Sequence, residues 1–300
     1  MAIHRLSKLF AAHNVTPPPD QYEITIGTRR YRTNRHFLNR LTMHDRHEPW
    51  LDAPYAAALG VKPGAIVDVG VNTGQTMMKM LALDPDRRYV GFEPQLDCCF
   101  FVDQFIRRNQ LHTHALLPIG LSNRTGLVSL LKRCADADGA ASTVAGFRPD
   151  DFYADTQAIY VAKGDDVIAS LAIEDIALIK IDVEGGELEV IEGFTGTLER
   201  WSPFLFFEVL NHFLVATGQA LDAAMVAFRD GRIERMERLL RGLGYRIFNI
   251  VPDRPVREVM RIEPPVSSDL TITDYVAAHR DYAPQLLARM GPAVASSGRT

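Results

Sequence analysis

The sequence has few cysteines and no excess of charge of one sign. Its 300 residues include three cysteines, and Cys98 and Cys99 are neighbours, so the chain offers neither a disulfide framework nor a C-x-x-C metal motif. This usage favours a reducing, cytoplasmic compartment. The formal net charge is −4, which excludes the strong basic field that holds long nucleic acids. We therefore expect a small-molecule or glycan substrate and no nucleic-acid partner.

Long apolar runs are also absent. The first residues, MAIHRLSKLFAAHNV, mix basic and apolar side chains and lack the continuous apolar stretch and cleavage signal of a secretory leader. The sequence thus predicts no signal peptide and no transmembrane segment, and it leaves open a basic amphipathic first helix that touches a membrane surface. Oligomeric state is not encoded in any pattern, and a homo-oligomer is compatible with the sequence.

What the chain does contain, from Ala65 onward, is a series of short apolar runs separated by helical stretches. This alternation is typical of βαβ units and predicts a doubly wound, mostly parallel α/β sheet. We divide the chain into an N-terminal helical cap (1–60), one catalytic domain (61–290) and a disordered tail (291–300). Strands are predicted at 65–70 and 88–94, within 113–122, and at 176–184, 202–210 and 245–251, with an extra strand near GLVSLL (126–131). Helices are predicted at about 73–84, 96–109 and 221–242. A Gly/Ala/Asp-rich stretch near 134–143 is expected to be a mobile loop near the site.

The turn after the first of these strands carries the first functional signal. Ligands of open parallel sheets bind at the carboxyl ends of the strands, where the strand order reverses. Here the turn reads Asp68-Val-Gly70-Val-Asn72-Thr-Gly74. A dinucleotide site requires G-x-G-x-x-G so that bare backbone can approach a pyrophosphate; Asn72 and Gln75 replace the second and third glycines. A ligand with an amino-acid end fits better, because helix-start amides suit its carboxylate and Asp68 suits its ammonium group.

The end of the second strand carries a matching signal. Glu93-Pro94 follows the turn by about 20 residues, where an acidic side chain can accept hydrogen bonds from two ribose hydroxyls. Glu93 would suit either a dinucleotide or S-adenosylmethionine, so only the turn discriminates between them. A tight turn with a merely solvated Glu93 is the structural alternative.

Five motifs resemble those of the FkbM family of class I methyltransferases. They are VDVGVNTG (67–74), FEP (92–94), GLSNRTG (120–126), IKIDVEGGELEVIEGF (179–194) and FFEV (206–209), in the family's order over about 65–210. Val71 stands where the family commonly has alanine, and the stretch around Ser142 and Thr143 departs from the family's Gly-Ser pattern. The roles of these two residues therefore stay open.

The resemblance implies a Rossmann-like, seven-stranded sheet and an S-adenosylmethionine-dependent enzyme that usually methylates a hydroxyl oxygen of a sugar or natural product. It also implies which residues line the cofactor pocket. With their neighbours in the same turns, the predicted cofactor-binding residues are Asp68, Gly70, Asn72, Gly74, Thr76, Glu93, Pro94, Ser122 and Asp182.

Candidate catalytic residues lie at the ends of the fourth and fifth predicted strands. Lys180, Asp182 and Glu184 alternate with Ile181 and Val183, so a strand places the three charged groups on one face. Asp182 is our first choice for the residue beside the methyl group and its acceptor. The alternative is structural: a Lys180–Asp182 ion pair, with Glu184 beside a helix N-terminus.

A general base must also take the proton of the acceptor. His212 has the suitable intrinsic pKa, and Glu208 competes with it for this role. Nearby carboxylates could hold a divalent ion, but no spacing enforces the geometry, so we predict no metal. Two other functions stay open at this point: an NAD-linked oxidoreductase on the same fold, and a cofactor-binding module without turnover.

Overall fold

A central eight-stranded sheet organises the computed structural model, which describes residues 22–33 and 48–290. The predicted tail, and residues 1–21 and 34–47 of the predicted cap, lie outside these ranges. Before the central sheet come a hairpin and a helix, whose bounds are β1 Tyr22–Ile26, β2 Arg29–Thr33 and α1 Asp52–Val61. The first half of the sheet domain contains β3 Ala65–Val69, α2 Gln75–Leu83, β4 Tyr89–Phe92, α3 Leu96–Arg108 and β5 His114–Leu117.

An insertion and the second half of the sheet follow. The insertion comprises β6 Gly120–Ser122, β7 Gly126–Lys132, β8 Asp155–Lys163 and α4 Gly164–Ser170. The second half comprises β9 Ile176–Ile181, α5 Glu187–Gly193, α6 Thr195–Trp201, β10 Phe204–Glu208, β11 Phe213–Leu214, β12 Gln219–Ala220, α7 Ala223–Gly242, β13 Tyr245–Ile250, β14 Arg257–Glu258, β15 Asp274–His279 and α8 Ala283–Met290.

The strand order confirms the predicted doubly wound sheet. It runs β14-β13-β15-β10-β9-β3-β4-β5, and the five strands from β10 to β5 are parallel. β15 runs antiparallel to β10 and β13, and β14 runs antiparallel to β13. The two-residue β14 adds an eighth strand at the edge of the predicted seven. Because the chain winds outward from β3 through β5 and returns at β9, the order reverses between β3 and β9, which is where ligands bind in such sheets.

Both faces of the sheet are covered, which is why its central strands are apolar throughout. Val67 and Ile179 belong to the core on the face covered by α5, α6 and α7. Ile66 and Leu178, one residue away, belong to the core on the opposite face, with Tyr55 of α1. A period of two therefore divides each strand between two cores.

The predicted third strand lies within 113–122 as β5. It ends at Leu117, and after a break β6 (Gly120–Ser122) pairs with β8 in a separate three-stranded sheet of order β6-β8-β7. Pro118 explains the break because it lacks the N–H that a strand ladder needs. The extra strand predicted at GLVSLL is present as β7. Strands β8 and β15 were not predicted; β15 is rich in alanine, which has low strand propensity.

Among the residues that the structure describes, none forms a helix long and apolar enough to cross a membrane.

Candidate active site

The turn after β3 packs directly onto the end of β9, and this contact requires glycine. A Cβ at Gly70 would lie 1.8 Å from the carbonyl oxygen of Asp182, and the φ of Gly70 is +88°. Both facts exclude a side chain at this position. Gly74 ends the turn as the N-cap of α2, again with a positive φ of 94°. The two glycines therefore let the backbone of this turn reach the crevice between β3 and β9.

Glu93, at the end of β4, ties the turn to the next helix. One carboxylate oxygen accepts from the backbone N–H of Asn72 at 2.8 Å, and the other accepts from Gln95 at 2.8 Å. The side chain is buried, and burial raises its pKa in spite of these two hydrogen bonds. Since a carboxylate has about four acceptor positions, each oxygen keeps one for a ligand hydroxyl. This geometry fits the predicted ribose contact.

A cavity opens above these groups at the carboxyl ends of β3, β4 and β9. Seven of the residues predicted for the site line it: Gly70, Asn72, Glu93, Pro94, Ser122, Asp182 and Glu184. The cavity is also lined by residues that the sequence did not assign to the cofactor pocket, including Gln95, Asp138, Gly139, Thr143 and Gly186. Gln95 could have been found, because it adjoins the FEP motif. Asp138 and Gly139 belong to the loop that the sequence placed near the site, but no pattern singles them out within it.

Asp68 lies beneath the cavity and does not line it. Its carboxylate is 0% exposed and accepts a hydrogen bond from the Tyr89 hydroxyl. Burial raises its pKa to about 6, against the attraction of Lys180. Asp68 shares the face of Ile66, whereas Val69 lines the cavity. The contact between Asp68 and a ligand ammonium group stays a prediction. Asp68 supports Tyr89 and Lys180.

Gly74, Thr76 and Lys180 are also outside the cavity wall. Thr76 lies in the buried side of α2. The ammonium of Lys180 is 2.9 Å from a carboxylate oxygen of Asp182. Burial alone would lower the pKa of Lys180, but the carboxylates of Asp182 and Asp68 outweigh it and raise the pKa. Lys180 and Asp182 therefore form the structural ion pair that the sequence left open as the alternative.

His212 does not line this cavity either. Its ring is 5% exposed, and Nε2 lies 3.0 Å from a carboxylate oxygen of Asp230 on α7. Nδ1 has no hydrogen-bond partner within residues 22–33 and 48–290. The imidazole thus joins the segment after β10 to α7. It is not brought beside Asp182.

Asp182 emerges just past β9, where its backbone N–H donates to the carbonyl of Val69 at 3.0 Å. Its side chain is 35% exposed. Carboxylate oxygens of Asp182, Glu184 and Glu208 lie within 4.8 Å of one another, a donor set that could hold a divalent cation. Arg148 already forms an ion pair with Glu184, which compensates one of the three charges.

A second, smaller cavity adjoins Asp182 at the ends of β10 and β15. Its polar lining includes Glu48, Lys180, Asp182, Glu208 and Asp274. Burial raises the pKa of Glu208 well above its usual value, and repulsion from Asp182 adds to the effect. Burial also raises the pKa of Asp274 to about 7, although the indole N–H of Trp50 donates to it at 2.8 Å. Asp182 is the polar group common to both cavities.

The loop between β7 and β8 covers the cofactor side of the site, near where the sequence placed it. The Asp138 carboxylate accepts from the backbone N–H of Arg133 and Ala140, at 2.7 and 3.0 Å. The Gln95 side chain exchanges hydrogen bonds with the Asp138 backbone. Farther along, Phe147 packs against Gly185. These contacts hold the loop against the cavity.

Comparison with known proteins identifies the family. The profile described as "Methyltransferase FkbM domain" matches residues 68–247, more than half of the chain. The chain belongs to the FkbM methyltransferase family. A search of curated proteins found no match. The cofactor of this FkbM protein is therefore S-adenosylmethionine, and the glycine cradle at Gly70 and the buried acceptor Glu93 fit that molecule.

Several solved structures are similar. Methyltransferase FkbM from Methylobacillus flagellatus KT is 17% identical, with a TM-score of 0.43, over 72% of this chain and 43% of that chain. The O-methyltransferase from Bacillus cereus in complex with SAH is 13% identical, with a TM-score of 0.43, over 81% of this chain and 87% of that chain. The O-methyltransferase TomG from Streptomyces achromogenes is involved in tomaymycin synthesis and was solved with SAM. It is 12% identical, with a TM-score of 0.41, over 83% of this chain and 91% of that chain. The FkbM chain described here thus spans less than half the length of the first of these proteins.

Proposed function

We propose that this FkbM methyltransferase transfers the methyl group of S-adenosylmethionine to a hydroxyl oxygen of a sugar, a glycan or a natural-product small molecule. The observation that carries the proposal is the position of Asp182, whose side chain borders both the cofactor cavity and the acidic cavity of Glu208 and Asp274. An acceptor hydroxyl at the border of the two cavities would lie beside Asp182 and face the methyl group of the bound cofactor. Carboxyl groups are suitable partners for hydroxyl donors.

The chemistry asks little of the protein beyond alignment and proton removal. A lone pair of the acceptor oxygen forms the new C–O bond as the C–S bond breaks and its electrons return to sulfur. The hydroxyl proton becomes strongly acidic as that bond forms, so a carboxylate can accept it. Asp182 is held by Lys180 at 2.9 Å, which fixes the orientation of its carboxylate. We assign proton acceptance to Asp182.

Glu208 and His212 are weaker candidates for the base. Burial raises the pKa of Glu208, which favours its neutral form, and a protonated carboxyl group would donate a hydrogen bond to the acceptor. His212 is paired with Asp230 away from the cavity. Glu208 therefore fits an orienting role, and His212 fits a structural one.

The test is the Asp182→Asn variant in a methyl-transfer assay with labelled S-adenosylmethionine and a panel of hydroxylated acceptors. Turnover should fall by at least about a hundredfold, the usual contribution of a positioned base. Affinity for S-adenosylhomocysteine, measured by isothermal titration calorimetry, should change much less. The matched control is Asp166→Asn, which neutralises an exposed carboxylate of α4.

Other outcomes have distinct meanings. Loss of cofactor affinity with unchanged turnover per bound cofactor would move Asp182 from the acceptor to the cofactor and refute its role as base. Methylation of amines in place of hydroxyls would refute the acceptor class. A protein that binds the cofactor but methylates nothing would be the non-catalytic module considered above. The cytoplasmic location and the absence of a nucleic-acid partner remain predictions from composition.

A further inference from the structure

Arg229 is a buried arginine of α7 that lies outside the cofactor cavity and the acidic cavity. The residue is 2% exposed. Its Nε and Nη2 atoms donate to the carbonyl oxygen of Phe147 at 2.9 and 2.7 Å, and Nη1 donates to the carbonyl oxygen of Asn211 at 3.0 Å. One guanidinium group therefore joins the loop between β7 and β8 to the segment that follows β10.

The hydrogen-bond partners of this guanidinium are neutral carbonyl groups, so its burial is unfavourable on electrostatic grounds. Burial lowers the pKa of Arg229 to about 10, and repulsion from Arg148 adds to the effect. The Phe147 ring offsets part of this cost, because the guanidinium carbon lies 4.0 Å from the ring centroid in a cation–π contact. An arginine in such a position is explained by its planar fork of donors, which binds two carbonyl groups at once.

The Asn211 end of this bridge is held in place by further contacts. The Nδ2 atom of Asn211 donates to the carbonyl oxygens of Ser267 and Asp269 at 3.1 and 2.6 Å. In the next residue, His212, the Nε2 atom lies 3.0 Å from a carboxylate oxygen of Asp230 on α7. Arg229 therefore reaches toward the loop from a part of the fold that is held from two directions.

The Phe147 end of the bridge belongs to a loop that forms one wall of the cofactor cavity. The ring of Phe147 packs on Gly185, where a Cβ would lie 2.6 Å from the ring. The adjacent Arg148 forms an ion pair with Glu184, and Glu184 lines the cavity. The loop residues in the cavity wall are Asp138, Gly139, Ala141 and Thr143. Displacement of Phe147 would therefore disturb that wall, although Arg229 is not part of it.

We propose that Arg229 is a positioning residue for S-adenosylmethionine: it keeps the loop between β7 and β8 docked, and the docked loop completes the cofactor cavity. Cofactor affinity then depends on the fraction of molecules in which the loop is docked, and it falls in proportion to that fraction. The proposal concerns the cofactor site and is independent of the acceptor and of the role of Asp182. It extends the cofactor site to a residue of α7 that no motif of the sequence singles out.

The experiment uses the full chain with the Arg229→Met substitution, which removes the guanidinium group and leaves an apolar side chain in the core. Isothermal titration calorimetry with S-adenosylhomocysteine should give a Kd at least about tenfold higher than that of the unaltered protein, which corresponds to a docked fraction of about one tenth or less. Hydrogen exchange measured by mass spectrometry should be faster over residues 134–148 in the variant, because local opening of the loop exposes its amides.

Two control substitutions on α7 separate positioning from a general contribution to stability. Leu240→Ala removes a fully buried side chain about three turns farther along α7, and it should lower the thermal midpoint without changing the Kd. Arg238→Ala removes an exposed arginine of the same helix and should change neither quantity. The proposal is overturned if folded Arg229→Met binds S-adenosylhomocysteine as tightly as the unaltered protein, or if its Kd rises while the exchange of residues 134–148 is unchanged.

Arg229→Lys keeps the proposal testable should Arg229→Met not fold, because lysine retains the charge and most of the length. Its ammonium group cannot bind both carbonyl groups as the guanidinium fork does, so its Kd should rise as well, and an unchanged Kd would overturn the proposal. The double variant Arg229→Lys/Phe147→Ala should raise the Kd by less than the product of the two single effects, since both substitutions release one loop. A Kd equal to that product would show that Arg229 acts apart from the loop and would also overturn the proposal.

Discussion

Glu93 offers the most direct test of how this fold holds its cofactor. In the Glu93→Ala variant the two ribose hydroxyls would lose their acceptor. Hydrogen bonds to a charged group contribute about 1.5–3 kcal/mol each, so the loss of two weakens binding by about 3 kcal/mol or more, which is at least about a hundredfold in Kd. Isothermal titration with S-adenosylhomocysteine measures this change.

The same substitution should also lower the stability of the protein. The backbone N–H groups of Asn72 and Gln95 donate to Glu93, and a buried donor without a partner costs about 1–3 kcal/mol. Urea unfolding should therefore show a lower midpoint, and titrations must be made at a temperature where the variant is folded. Glu199→Ala, on the exposed side of α6, is the control. An affinity within twofold of the unaltered protein, in a folded Glu93→Ala variant, would refute the ribose assignment.

Three further predictions concern the turn, the histidine and the acidic cavity. Gly70→Ala should unfold the protein or strongly reduce its thermal midpoint, because the new Cβ would overlap the carbonyl of Asp182. The control Gly231→Ala lies inside α7, where the described residues leave open space, and should stabilise the protein by about 0.5–1 kcal/mol. Equal thermal midpoints for the two variants would contradict the close packing at Gly70. His212→Gln should retain turnover within a few-fold once folded, and a loss as large as that of Asp182→Asn would restore His212 as the base. The pKa of Asp274 is raised to about 7, so the folded state retains a proton that the unfolded chain loses above about pH 4, and folding becomes less favourable as pH rises from about 4 to 7. Urea unfolding should therefore show that the Asp274→Asn variant gains stability relative to the unaltered protein across this interval. A constant difference in stability would contradict the burial of this carboxyl group.

Local patterns were sufficient for the cofactor half of the site. Gly70 and Glu93 follow consecutive parallel strands, and parallel strands joined by one helix place their carboxyl ends side by side. Asp182 could be placed there because its strand is an apolar run interrupted only by Lys180, which is typical of a buried parallel strand. Period-two alternation already implies that Asp68 and Val69 face opposite sides, so the cavity-lining position belonged to the neighbours of Asp68 and not to Asp68 itself.

The acceptor half could not be predicted in the same way. Glu208, Asp274 and Trp50 meet because β15 inserts antiparallel between β10 and β13. No local sequence pattern predicts that insertion. The choice of His212 relied on its intrinsic pKa, which says nothing about where the ring points. Its actual partner, Asp230, lies on α7, and a long helix fixes that contact through packing that the sequence pattern leaves open.

The strand order connects these parts into one functional edge. Glu93 follows β4, Gly70 follows β3 and Asp182 follows β9. Glu208 is the last residue of β10, and Asp274 is the first residue of β15. Because β15 is antiparallel, it brings its N-terminal Asp274 to the edge where its neighbours bring their C-termini, and β13 then ends there as well. An antiparallel strand at this position therefore extends the edge without interrupting it. The cofactor cavity and the acidic cavity therefore lie side by side in the order of the strands, with Asp182 at their border.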